Sequence, residues 1–98
     1  MKIDFSTPIK NLDGTAMMRT EGQPWQIGIL AAEALLAQPK QGALTVAQVS
    51  ERYALAMRIF PGEEVEITTA EADIIQRAVA DNCAPIAAAQ VIAVTNGR

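Results

Sequence analysis

The first residues alternate in character, with Ile3 and Phe5 on one side and Lys2, Asp4 and Ser6 on the other. That period of two marks a half-buried strand, and Pro8 keeps it short or at a sheet edge. Asn11-Leu-Asp-Gly14 supplies turn chemistry, with Asp13-Gly14 fitting a type I′ turn and a return strand over about 15–19. A β-hairpin over about 2–19 is therefore predicted. Glu21-Gly-Gln-Pro24 punctuates the chain, and Pro24 suits the first turn of a helix. From Trp25 the pattern changes to helical spacing through Ile27, Leu30, Ala31, Ala34 and Leu35, predicting a helix over 25–37 that Gln38-Pro-Lys-Gln-Gly42 ends.

Thr45 and Gln48 have capping-box spacing, with Leu44 and Val49 placed as a hydrophobic staple, so a helix is predicted over 45–60. Its face Val46, Val49, Tyr53, Ala56, Met57 and Phe60, widened by Leu55 and Ile59, reads as the core stripe of a central helix. Pro61-Gly62 stops it. Glu63–Ile67 alternates again and reads as a short strand or an extended lead-in. Thr68 and Glu71 form a second capping box, opening a helix over 69–82 with Ile74, Ile75, Ala78 and Val79 on one face. Pro85 begins a last helix over 85–95 that Asn96-Gly97 ends. The predicted fold class is mainly α within α+β: an N-terminal hairpin followed by about four short helices, in a single domain spanning residues 1–98.

Composition narrows what such a domain can do. The 98 residues are 50% hydrophobic, but much of that is alanine, which buries little area, so the core is thin. Each large side chain that is fully buried, such as Phe5, Leu55 or Ile75, contributes about 1.5–3 kcal/mol before entropy. There is no histidine, which removes imidazole ligands and bases. The one cysteine, Cys83, has no such base to form a thiolate and reads as a small buried hydrophobe. Glu63, Glu64, Glu66 and Glu71 cluster, but alternating acids blunt a strand edge and an acid in the first turn complements the helix dipole. Neither catalytic residues, a metal site nor a cofactor is expected.

The eight lysines and arginines are dispersed and outnumbered by eleven acids, giving a net charge of −3. Counterion release then gives little nonspecific affinity, so no nucleic-acid partner is expected. No apolar run reaches the roughly 20 residues of a spanning helix, nor does any helix pair a basic face with bulky anchors, so no membrane partner is expected either. Three features point to contacts with proteins. Trp25 stands at a helix start, as a core anchor or an exposed hot spot. Met17 and Met18 follow the turn and face opposite ways, one of them toward solvent. The last helix, with Ile86, Val91 and Val94, is apolar nearly all round except at Gln90. Either it is the central core element or its outer face meets another chain.

The opening Lys2-Ile-Asp-Phe-Ser-Thr-Pro-Ile-Lys-Asn-Leu-Asp-Gly14, with Glu33-Ala-Leu-Leu36, Arg52-Tyr-Ala-Leu-Ala-Met-Arg-Ile59 and Val65-Glu-Ile-Thr-Thr-Ala-Glu-Ala-Asp-Ile-Ile75, resembles a family of small tailed-bacteriophage and prophage proteins. Their outline is an N-terminal IDFSxPIxxLDG segment followed by short helices. The chain departs from that outline around Met17–Pro24 and in its alanine-rich end. The resemblance implies a phage origin, a setting in the host cytoplasm with virion association open, and no particular chemistry. The expected function is a non-enzymatic adaptor or assembly factor in phage morphogenesis, its partner being itself or another phage protein. The alternative is a regulatory or inhibitory protein that binds a host enzyme.

Overall fold

The computed structural model describes residues 1–20, 22–37 and 43–96. Glu21, the predicted helix stop at 38–42, Gly97 and Arg98 lie outside the described residues. Among those described, the elements run β1 (Lys2–Asp4), β2 (Met18–Thr20), β3 (Gln23–Pro24), α1 (Ile27–Leu36), α2 (Val46–Ile59), β4 (Glu64–Glu66), α3 (Thr69–Asn82) and α4 (Pro85–Thr95). The fold is α+β, four helices with small antiparallel strand pairs, as the hydrophobic pattern predicts.

Local signals place most boundaries. Both capping boxes form: the Thr45 and Thr68 hydroxyls accept from the N–H groups of Gln48 and Glu71, whose side chains accept from the cap N–H groups in return. The chain reverses at Asn11–Gly14, but the geometry differs from a type I′ turn. Among the described residues positive φ occurs only at glycines, so Asp13 does not adopt it, and in this turn Gly14 alone does, at φ +87°. The Gly14 N–H donates to Asn11 O and the Asn11 N–H to Thr15 O, the bonding of a three-residue loop closed by glycine. Pro24 is also placed differently from the expectation. It pairs with Met18 in the β2–β3 sheet, and α1 starts at Ile27 after an extended Gln26.

Long-range pairing completes the N-terminal half. β1 pairs with β4 in the register Lys2 to Glu66, Ile3 to Val65 and Asp4 to Glu64 rather than with the return strand, so Glu63–Ile67 contributes a true strand. The segments around Ile9, Met17 and Trp25 are tied in a ring. Ile9 N–H donates to Trp25 O, Trp25 N–H to Met17 O, and Met17 N–H to Ile9 O, at 2.8–3.0 Å.

The central helix is α1, not α2. Gly28, Ala31, Ala32 and Ala34 on α1 are all buried, and α2, α3 and α4 each pack against it. Small side chains let several helices approach one axis. Phe5, Ile9, Ile27, Leu35, Leu55, Ile59, Ile75, Val79 and Val91 fill the space around it, each fully buried. Gly28 is the tightest point. A Cβ there would stand 2.5 Å from Ile59 O and 2.9 Å from Phe5 Cβ, while the Gly28 N–H donates to Phe5 O at 3.0 Å.

In an exposed helix Gly→Ala stabilises by about 0.5–1 kcal/mol. At Gly28 the sign reverses, because the new methyl meets two backbone groups rather than movable side-chain ends. Gly28→Ala is expected to destabilise the protein by about 1–3 kcal/mol or more, read as a lowered urea midpoint at unchanged m. A second expectation concerns acid. The Thr68 N–H bonded to Glu71, with Arg58 beside it, holds that carboxyl below the ordinary glutamate range against the opposing effect of partial burial. A depressed folded value contributes stability above the unfolded value, near 4.5, that is lost as pH falls through the folded one. Glu71→Gln keeps the capping box but not the charge. It should flatten the acid limb of the stability profile below about pH 4.5 and cost less than about 1 kcal/mol at neutral pH.

Candidate interaction surface

Of the residues singled out from sequence, most turn inward. Val91 is fully enclosed, so it is core and cannot meet a partner in the folded chain. Ile86 is half-buried, and Val94 is half-buried against the core. With Ala87, Ala88 and Thr95 also buried, α4 is a core element whose outer side carries Ala89 and Ala93. Its polar residue holds another segment in place. Gln90 accepts from the Lys10 N–H at 2.8 Å and donates to Lys10 O at 2.7 Å, clamping the N-terminal loop as a second strand would. Met17 packs on the core and Met18 is half exposed, the division their adjacency requires. Trp25 is half-buried, with the Arg19 guanidinium 5.4 Å from its ring centroid and Arg19 paired to Glu33 at 3.0 Å. Arg19 thereby covers one face of the indole. Beside it lies a shallow cleft of about 220 Å³ bounded by Leu30, Ala34 and Cys83.

A second cleft of about 230 Å³ lies between α2 and α3, lined by Glu51, Arg52, Asp73 and Arg77. Its charges balance, and Arg77 is already paired to Asp73 at 2.8 Å. Among the described residues no three potential metal ligands converge, and no helix is long and apolar enough to cross a membrane.

The largest departure from the sequence expectation is on α2. Of its predicted core stripe only Ala56 is buried, together with Leu55 and Ile59; Val46, Val49, Tyr53, Met57 and Phe60 are 86%, 53%, 57%, 61% and 50% exposed. At 100° per residue these five, with the exposed Ala47, Ser50 and Ala54, occupy about 160° of the helix circumference. None of the eight is charged. The charged residues of α2 lie elsewhere. Glu51 and Arg52 line the cleft against α3, and Arg58 donates to the Glu71 carboxylate and to Glu66 O. No described residue of the chain covers the apolar face. Periodicity misassigned it because α2 carries two apolar faces about 115° apart, and either satisfies the spacing of a core stripe. The available signal was that duplication itself: a domain of this size has neighbours for only one of them.

Comparison with known proteins returns no matching family model, curated protein or solved structure.

The two faces separate cleanly by mutation. In dilute protein, Val49→Lys or Tyr53→Lys should shift unfolding free energy by no more than about 0.5 kcal/mol, whereas Ile59→Ala or Leu55→Ala should cost about 2–5 kcal/mol. Equal losses on both faces would mean that the exposed stripe is core.

Proposed function

We propose that this chain is a non-enzymatic protein–protein adaptor or assembly factor of phage morphogenesis. The observation that carries the protein-binding part is the uncharged α2 face. Exposed apolar residues scattered singly are ordinary, but a contiguous stripe with Tyr, Met and Phe and no charge is the composition of an interface centre. Aromatic residues and methionine are enriched there and charged residues depleted, while α2 places its own charges at the α3 and β4 side. The phage setting rests on the resemblance of the Ile3–Gly14, Arg52–Ile59 and Val65–Ile75 stretches to small phage proteins.

Affinity purification of the tagged chain from induced or infected cells tests this function. An identified phage structural protein should be recovered with it. Recovery of host replication or defence enzymes alone would overturn the assembly role and favour an inhibitor, as would toxicity when the chain is expressed by itself.

A further inference from the structure

We propose that the α2 face is where two copies of this chain associate, α2 against α2, antiparallel about a twofold axis passing Tyr53. The proposal rests on reading that face as a protein-binding surface and names its occupant. The spacing of the exposed stripe suits a second copy. From Val46 to Val49, Tyr53, Met57 and Phe60 the intervals are 3, 4, 4 and 3 residues, a sequence that reads the same in both directions. An antiparallel pairing centred on Tyr53 therefore sets every stripe residue opposite another: Val46 against Phe60, Val49 against Met57, and Tyr53 against itself. An isologous interface requires this self-complementarity, residue i meeting j while j meets i.

Size and charge fit the same register. The small end of the stripe, Val46 and Val49, meets the large end, Phe60 and Met57, so each layer flanking the central Tyr53 pair sets a small side chain against a larger one. Arg52 falls opposite Ala54 and Arg58 opposite Gln48, so no like charges are apposed. Antiparallel helices also set their dipoles favourably. The five stripe residues expose roughly 600 Å² on one copy, so covering them fully on two copies would bury on the order of 1,200 Å², the lower end of stable specific interfaces, with Ala47, Ser50 and Ala54 adding to it.

Sedimentation equilibrium on the full chain, from low to high micromolar concentration, tests the pairing. The mass should rise from 10.5 kDa toward twice that value. Tyr53→Lys should weaken association by at least about tenfold, the loss of a central interface aromatic, with an unchanged far-UV CD spectrum. Met57→Lys provides a second variant should Tyr53→Lys fold poorly. Disulfide trapping in a Cys83→Ser background tests the register. Tyr53→Cys should cross-link to its own copy. Met57→Cys alone should not, because antiparallel pairing separates the two positions by about 12 Å along the axis, whereas Val49→Cys combined with Met57→Cys should. A monomer at every concentration, or association insensitive to both lysine variants, would overturn the proposal. So would cross-linking of every single-cysteine variant to itself, the mark of a parallel pair. A monomer whose Tyr53→Lys variant loses a captured phage structural protein would reject the second copy while leaving the adaptor function standing.

Discussion

Everything in this fold is arranged around the approach of three chain segments at Gly28. The backbone after β1, the first turn of α1 and the last turn of α2 meet where no Cβ can stand: Phe5 O accepts from the Gly28 N–H, and Ile59 O faces the same carbon. Phe5 is in turn fixed by its own N–H, which donates to Glu63 O just before β4. One glycine thus connects the N-terminal strand, the central helix and the connection that follows α2. Burial of Phe5, Ile27 and Ile59 around it supplies the apolar driving force. The missing side chain supplies the geometry.

The alanine content has the same logic. A chain of 98 residues cannot surround several bulky helices, but it can gather three helices on one whose buried face sets Gly28, Ala31, Ala32 and Ala34 between Ile27 and Leu35. Close backbone approach then substitutes for large side chains, and polar side chains finish what the thin core leaves open. Asn82 donates to Ala34 O and Ala78 O, joining α3 to the end of α1. Gln76 donates to Thr95 and Asn96, joining α3 to the end of α4. The buried Thr95 hydroxyl is satisfied by donating back to Val91 O.

What could be read from sequence follows the range of the interaction. Capping boxes at Thr45 and Thr68 involve neighbours three residues apart, and they appear where their spacing puts them. The order and lengths of the helices follow likewise. The partner of β1 was not legible, because Lys2–Asp4 finds Glu64–Glu66 some sixty residues away and nothing in either segment names the other. Gln90 was visible as the odd polar residue of α4, but its purpose depends on Lys10, eighty residues off. The α2 surface was hidden in a different way. Periodicity reports that a helix has an apolar face; it does not say whether the neighbour comes from the same chain.

Arg58 reinforces the face of α2 that the core turns inward. Its guanidinium reaches both the Glu71 carboxylate and Glu66 O, and Glu71 is itself held by the Thr68 capping box at the start of α3. Rolling α2 by about 115° to bury Tyr53, Met57 and Phe60 would carry Arg58 away from both acceptors and expose Leu55 and Ile59. It would also strip Gly28 of the neighbour that makes a glycine necessary there. An exposed ion pair is worth little in stability, but here it is tied to a cap and a strand carbonyl and so acts on orientation. The roll it supports sets the bulky, uncharged side of α2 toward solvent. That side is a consequence of how the core closes at Gly28, not a flaw in the closure, and it is complete before any partner arrives.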